Sequence, residues 1–551
     1  MSLFKEPFCL FIVVLCLYPT DARPQTVDSF NASANAVVDT VATQPNGRVL
    51  VGGQFSSLDG ESHVAFGSVL ADGSLDHVFG SAFQPVSNFS PEEVVCTAIQ
   101  SSGKVWLGGN FNALSRECLL RLNSDGSLDT NFDAGFLGAN VWVDCLHSQP
   151  DGKLLVSGSF TMLLGQPVAN LGRINEDSSL DSAFKAAPNG QVSAIALQPD
   201  GKIVVAGAFT SIGGGACNYI GRLNPDGTLD TNFNATAQRG LVSCLLVQPD
   251  GKILAGGLFT SLGGHPRTKL GRLNSDGSLD LSFNPQPDNH NSWGIRSLLL
   301  QTDSKILVGG DFVTMAGTNR PSIARLNSDG TLDPTFDAQV ATSSPLGAEM
   351  VVSLAAQNDQ HILVGGSFTF LDGAAHNNVG RLTNVDPSTQ SLTNDTSSVT
   401  WLRGGSSIEV EYVTFEGSMD GTNWTFLGQG ERIAGGWHLG GLSVAPNATV
   451  RARGFLSGGQ WNGSTYYFET ITGIQTTNPL VLVNDSGFGV RSNKFGFTIS
   501  AQPGRVLIIE SSTDLSNWQP VSTNTLQTPS IYFSQPYDPA TAPRFFRAAV
   551  Q

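Results

Sequence analysis

The stretch Gly201–Phe233, GKIVVAGAFTSIGGGACNYIGRLNPDGTLDTNF, is one copy of a unit that recurs seven times before residue 385. Aligned on the turn before its second apolar segment, the copies carry Gly47, Gly103, Gly152, Gly201, Gly251, Ser304 and Gln360, a period of 49 to 56 residues. Three positions upstream stands a glutamine in every copy: Gln44, Gln100, Gln149, Gln198, Gln248, Gln301 and Gln357. Nine upstream stands Val or Ile: Val38, Val94, Val143, Val192, Val242, Ile295 and Val351. A glycine followed two residues later by phenylalanine recurs downstream, from Gly53 and Phe55 to Gly366 and Phe368. Such a chain is an array, and the array decides the fold.

Each unit reads as β. VSAIALQ and KIVVAGAF are short, apolar or β-branched, and separated by PDG or DG turns. A third strand (YIGRL in the fourth copy), the turn NPDGTLD and a short piece around Phe233 complete the unit. Helical stripes of useful length do not occur. The period and turn chemistry predict an all-β chain, with residues 23–384 forming a seven-bladed β-propeller, one blade per unit. A β-helix would need shorter coils, and about fifty residues bury too little core to stand as separate domains.

In five units an Arg on the third strand stands eight residues before an Asp: Arg121/Asp129, Arg173/Asp181, Arg222/Asp230, Arg272/Asp280 and Arg325/Asp333. The first unit has Asp76 but Ser68 in the Arg position, and the last has Arg381 with no LDxxF element after it. The shortened form VDSF lies at Val27–Phe30. Asp28 and Phe30 are therefore expected to complete the last blade, closing the ring by strand exchange and hiding two sheet edges. A reactive centre needs one asymmetric cluster, whereas these pairs are spread round a ring. They read as structural, each Arg fork satisfied by a carboxylate and nearby carbonyls within its blade.

Residues 1–22 read as a secretory signal: Lys5 at the start, an apolar run over Phe8–Tyr18, and Thr20-Asp21-Ala22 as a cleavage site. The run is too short to span a bilayer, and no second apolar segment of spanning length follows. Leu15 before Cys16 disfavours lipidation, which wants a small residue there. Export, to the cell envelope or beyond, is the expectation. The net charge of −16 argues against nucleic acid and anionic lipid as partners. Without Cys9 and Cys16 five cysteines remain, an odd number that makes no tidy disulfide framework. Cys96, Cys145 and Cys244 share one repeat position with Thr40, Ala194, Ser297 and Ser353, so that position demands a small side chain. Cys118 and Cys217 sit near the start of third strands, and their pairing is left open.

Past Arg381 the repeat stops. Residues 385–398 read as a polar linker, and 399–475 and 476–551 as two small β-sandwich modules. The modules share a pattern: GSMDGTNWTFLG at 417–428 parallels ESSTDLSNWQPV at 510–521, and Trp424 and Trp518 each precede an Arg (Arg453, Arg547) by 29 residues. That equivalence favours core positions for both tryptophans over sugar stacking.

The unit GKIVVAGAFT…IGRLNPDGTLDTNF resembles the delta-60 repeat, a domain of unknown function that forms β-propellers, over residues 27–384. The block VTFEGSMDGTNWTFLGQGERIAGGWHLGGL resembles the segment that often follows such repeats, and ESSTDLSNWQPV…PRFFRAAV resembles C-terminal modules of secreted, Verrucomicrobia-type bacterial proteins. The resemblance implies export and a propeller. It implies no activity, substrate or catalytic residue.

Candidate chemistry is sparse. NSDGSLD turns (Asn123–Asp129, Asn274–Asp280) space oxygen ligands somewhat like a calcium loop but lack the closing Glu, and DG is a common turn. Calcium is the one cofactor the sequence leaves open. The eight histidines make no HExxH, and there is no GxSxG elbow, CxxC or phosphate-binding loop, so no catalytic or metal-ligating residue is assigned. The connection after LDxxF is short in most copies but expands at 80–93, 284–294 and 337–350. These expansions share one repeat position and should project from one face, where binding residues on a rigid scaffold usually sit. His290 and Trp293 are the sharpest candidates there, beside the reading of these loops as tolerated surface insertions. The leading reading is a secreted, non-catalytic propeller that binds an extracellular glycan or protein, or serves as envelope scaffolding. One alternative is an extracellular enzyme acting on polysaccharide or peptide at the propeller mouth, which carboxylates and His clustered there would support. The other is a calcium-stabilised adhesin.

Overall fold

The computed structural model describes residues 25–550, leaving aside 81–82, 84–91, 114–115, 136, 139–140, 239, 289–292, 344–348, 358–360, 385, 446–447, 474–480, 484–488, 492–493, 501–505, 513–518, 526, 529 and 537–544. The segment 1–22 that reads as a signal, His290 and Trp518 lie outside the described residues. The chain is all-β, with one 3-10 turn among the described residues. It divides into two compact units: Met1–Thr389 with Gly405–Glu411 and Phe455–Phe468, and Gln390–Gly404 with Tyr412–Gly454 and Glu469–Gln551.

Every repeat folds alike, as an antiparallel sheet in the order inner, middle, outer strand. In the fourth copy these are Val192–Leu197, Ile203–Gly207 and Ile220–Leu223. The leucine of the LD element adds one further bridge, as Leu229 does to Leu223. Successive sheets pack face to face, and each core cluster draws apolar side chains from two neighbouring repeats. Val204 and Ala206 pack with Leu245 and Ala255, for example. The middle strand needs a small residue where the next inner strand crosses it. A Cβ on Gly108 would fall 2.7 Å from Val143, and one on Gly256 2.7 Å from Ile295. On Gly365, in the last repeat, it would fall 2.8 Å from Val38 of the first. The last sheet thus packs on the first.

The N-terminal strand Gln25–Val27 joins that last sheet, pairing Val27 with Leu382 and Gln25 with Asn384. Arg381 Nε donates to Asp28 Oδ2 at 2.7 Å, its guanidinium lies 4.8 Å from the centre of the Phe30 ring, and its Nη1 reaches Ala71 O at 2.8 Å. Phe30 is fully buried.

The cysteine position is buried as well. Cys96, Cys145 and Cys244 are wholly covered, Cys96 Sγ lies 3.5 Å from Val143 O, and burial pushes the Cys244 thiol up to about 12. Cys118 and Cys217 are free thiols, each pushed up to about 11 by burial.

The expected linker and the first module boundary need correction. Ser388–Asp395 is a strand in a sheet with Ser398–Gly405, Gly436–Leu439 and Glu431–Ile433. Asp395 Oδ1 accepts from the N–H groups of Ser397 and Ser398, which turns this polar stretch into a hairpin rather than a tether. The module read as 399–475 is not self-contained, because 405–411 and 455–468 belong to the first unit. Within the second unit, Trp424 is half-buried rather than core, its ring 4.0 Å beneath the Arg451 guanidinium. Arg453 instead pairs with Glu469 and Glu416. Further along, Phe497, Ile499, Leu507, Ile509 and Phe533 form a small core between two sheets.

The segment 455–468 decides what lies at the centre of the ring. It is the hairpin between Thr449–Gly458 and Ser464–Gly473, and its tip is the turn Gln460–Asn462. The tip touches the inner strands of five repeats. Ser464 Oγ meets Thr40 Oγ1 at 2.8 Å and accepts from Thr97 N at 2.9 Å, which brings in the other two. Asn462, fully buried, accepts from Leu298 N at 2.8 Å and donates to Leu298 O at 2.7 Å. Tyr466 OH accepts from Ala356 N at 2.9 Å. The chain fills its own axis.

Candidate functional site at the mouth of the ring

Each inner strand carries a β-bulge one residue after its repeated Val or Ile. A bulge leaves one residue outside the ladder and re-aims its side chain. The seven bulged residues are Asp39, Val95, Asp144, Ser193, Ser243, Arg296 and Val352. They sit at the strand starts, where the expanded connections 80–93, 284–294 and 337–350 arrive, so they share the face that carries Trp293. The hairpin enters from the opposite end. Thr465 Oγ1 bonds Ser148 Oγ at a strand end (3.1 Å), while Trp461 at the tip lies against Arg296 at a strand start (5.5 Å).

Charges converge at this mouth. Asp39 hydrogen-bonds Glu93, and Arg296 reaches across from the sixth repeat to face both. Asp144 also feels the Glu93 charge, with Gln191 Nε2 donating to its Oδ2 at 2.6 Å. Gln54 Nε2 donates to Glu93 Oε1 at 2.9 Å. Burial, and then the charge and hydrogen bond of Glu93, push the Asp39 carboxyl well above the usual carboxylate range. Burial pushes Asp144 up to about 7 against the Gln191 hydrogen bond, and the Glu93 charge adds to it. The Arg296 guanidinium lies between two indoles, 4.9 Å from Trp293 and 5.5 Å from Trp461. Trp461 sits in the left-handed region at φ 58°, a conformation costing a tryptophan about 1–2 kcal/mol. The tip holds its indole at the mouth despite that strain.

A pH dependence follows. Asp144 binds its proton more tightly in the folded chain than at the ordinary value of about 3.9 in the unfolded one, so it costs stability progressively as pH rises from about 4 to about 7. Asp144→Asn should therefore be near neutral at pH 4 and stabilising by roughly 1–3 kcal/mol at pH 8. Melting both proteins across that range checks it. Parallel profiles would refute the assignment.

The repeated Arg and Asp residues lie elsewhere, on the outer strands. Arg121 Nε meets Asp129 at 2.8 Å, Arg173 meets Asp181 at 2.9 Å, Arg222 meets Asp230 at 2.8 Å, Arg272 meets Asp280 at 2.9 Å and Arg325 meets Asp333 at 2.7 Å. Each Asp also takes the lysine of its own GK or SK turn: Lys104, Lys153, Lys202, Lys252 and Lys305, at 2.7–2.9 Å. Burial alone would raise these carboxyls, but the Lys and Arg hydrogen bonds hold them below their usual range. The first repeat swaps the parts, Arg48 from the turn pairing with Asp76 where Ser68 replaces the outer Arg. The Arg forks also leave their own sheet. Arg173 Nη1 donates to Pro225 O at 2.7 Å and Arg272 Nη1 to Ser328 O at 2.6 Å, each in the next repeat. In the NSDGSLD turns, Asp125 Oδ1 accepts from the N–H and hydroxyl of Ser127, so that carboxylate oxygen closes its own turn. Among the described residues, no group of three or more His, Cys, Asp and Glu is placed to hold a metal ion.

Six stretches, residues 44–79, 100–132, 149–184, 198–233, 248–283 and 301–336, match the family model described as "Domain of unknown function (DUF5122) beta-propeller". The six stretches are similar to the repeats of a β-propeller family of unknown function. Each DUF5122 match runs from the repeated glutamine to the repeated phenylalanine, as from Gln198 to Phe233. Comparison with the curated proteins returns no match. Among solved structures, the chain resembles the WD40 β-propeller domain of Doa1 (13% identity over 65% of this chain and 97% of that one, TM-score 0.40). It also resembles a structure titled "Glycoside hydrolase" (11% identity, 95% and 97% covered, TM-score 0.20). Neither superposition is close enough to carry an argument about the site.

Of the loop-face candidates, Trp293 stands beside the bulge cluster with 53% of its surface exposed, its backbone N–H donating to Asp311 Oδ2 at 3.3 Å. Sequence reasoning missed Asp39, Asp144, Arg296 and the hairpin tip. One signal was available: the residue after the repeated Val or Ile varies in charge while its neighbours do not.

Proposed function

We propose that this chain is an exported, non-catalytic recognition protein. Its repeats form a seven-bladed ring, followed by small β-sandwich modules, and it binds an extracellular glycan or protein on the face where the expanded loops arrive. The observation that carries this reading is the asymmetry of the axis. The chain's own hairpin fills one end, and the other end gathers Asp39, Glu93, Asp144 and Arg296, the last of these against exposed Trp293. A ring serving only as scaffold has no need of unlike residues at equivalent positions. The count of seven rests on the seven copies read in the sequence, six of which match the family model. A seventh copy begins at Gln357, but its phenylalanine is Phe30, so a linear model cannot span it. Export rests on the reading of residues 1–22. No helix among the described residues is long and apolar enough to cross a membrane.

The test is a thermal melt of residues 23–551 against cell-wall glycans, plant polysaccharides and extracellular proteins. A ligand at about 100 times its Kd stabilises its unit by roughly 2.7 kcal/mol. One ligand class should raise the melting temperature of the first unit, and Trp293→Ala should remove the rise. A shift that survives Trp293→Ala would move the site elsewhere, and no shift with any class would favour scaffolding.

One observation favours a second reading, an enzyme at the mouth. A carboxyl pushed up to about 7 by burial, as Asp144 is, is what general acid catalysis uses. Hydrolysis of polysaccharide or peptide, abolished by Asp144→Asn, would establish it.

A further inference from the structure

We propose that the mouth of the ring takes the edge of one neutral sugar residue, its hydroxyls meeting Asp39, Asp144, Gln460 and Arg296 and its apolar face lying on Trp293. This deepens the loop-face binding reading and rests on it.

The argument comes from the polar groups that the fold leaves unmatched there. Asp144 Oδ1 and Gln460 Oε1 are buried acceptors without a hydrogen-bond partner, and Asp39 Oδ2 has none besides Glu93. Arg296 Nε and Trp461 Nε1 are buried donors in the same condition. Asp39, Asp144, Gln460 and Arg296 are each more than nine-tenths buried, and they come from three inner strands and the hairpin tip. A buried polar group without a partner costs about 1–3 kcal/mol, so such groups on strand starts and on a tip that meet at the mouth describe a surface shaped for something that supplies both donors and acceptors.

Charge narrows the class. A protonated amine would satisfy the acceptors but would face the Arg296 guanidinium and leave both donors unmatched. An anion would suit Arg296 but would bring only acceptors to Asp144 Oδ1 and Gln460 Oε1, which need a donor, and would face the Glu93 charge. A metal ion finds no set of three ligands among the described residues. A hydroxyl both donates and accepts, carries no charge, and in a sugar ring is borne on a frame with an apolar face. Trp293, exposed at the rim and braced from behind by Arg296, offers the flat partner for that face. The unmatched atoms lie deep, so a ring edge with one or two hydroxyls is what fits, and the remainder of a glycan would extend outward past the loops.

The test is titration of residues 23–551 with methyl glycosides of glucose, galactose, mannose and N-acetylglucosamine, followed by tryptophan fluorescence and calorimetry. Glucosamine and glucuronate are the charged controls. At least one neutral glycoside should saturate, with both charged sugars binding roughly tenfold more weakly or not at all. Trp293→Ala, an exposed position that leaves the melt unchanged, should weaken binding roughly tenfold. Gln460→Ala should weaken it without abolishing it. Tighter binding of glucosamine or glucuronate would overturn the proposal. So would the absence of saturation at concentrations that fill a millimolar complex. If a protein or another polymer then still stabilises the first unit in a Trp293-dependent way, only the sugar assignment falls. If nothing does, the loop-face reading falls with it.

Discussion

Replacing Phe30 by alanine should destabilise the first unit by about 3–5 kcal/mol, the range for emptying a fully buried phenylalanine site. The cost goes beyond a cavity. Phe30 is the ring on which Arg381 lies, and Arg381 holds Asp28 of the N-terminal segment, Gln357 of its own sheet and Ala71 of the first repeat. Loosening Phe30 loosens the strand Gln25–Val27, and with it the edge of the last sheet becomes exposed for pairing with other chains. The matching residue of an interior repeat, Phe233, provides the control. Phe233→Ala empties a similar site but opens no sheet edge. Denaturant melts of both variants, with a sizing column to detect association, check this. Equal melts and no association for Phe30→Ala would mean that the N-terminal strand does not hold the ring closed.

Asn462→Ala is the second large effect, about 2–4 kcal/mol. Its amide answers both backbone groups of Leu298 as a strand partner would, at a position closed to bulk solvent. Alanine leaves that N–H and C=O buried and unpaired and also resists the left-handed conformation, φ 53°, that asparagine tolerates. Asn462→Asp retains the acceptor and the backbone tolerance but loses the donor, so it should fall between the native chain and alanine. A loss below about 0.5 kcal/mol for Asn462→Ala would mean the tip is not anchored there.

How far the sequence could be read depended on whether a residue's partner came from its own repeat. The glutamines, Gly-x-Phe pairs and DG turns recur because each answers a demand inside one sheet, so the β character and the propeller-type repeat were legible. Arg222 and Asp230 stand eight residues apart on one chain segment, and their proximity is visible in the spacing. Lys202, which also meets Asp230, escaped notice because GK reads as an ordinary turn. The Arg forks that reach carbonyls of the next sheet left no trace, since a carbonyl has no sequence. The hairpin tip was invisible for a different reason. GGQWNG looks like a surface loop of a C-terminal module, and only the fold carries it into the ring. The bulge residues Asp39, Asp144 and Arg296 lie in register within the array, but a repeat invites attention to what is constant.

The hairpin has a consequence in time. Leu298 is 164 residues from the side chain that satisfies it, and Arg381 is 353 from its carboxylate. A chain made from its amino terminus therefore completes sheet after sheet with a hollow, unpaired interior, and its first strand waits for the last. Contacts so distant in sequence form late, since each must first close a long loop. Until residue 462 has emerged, the finished sheets lack the tip that answers their inner strands.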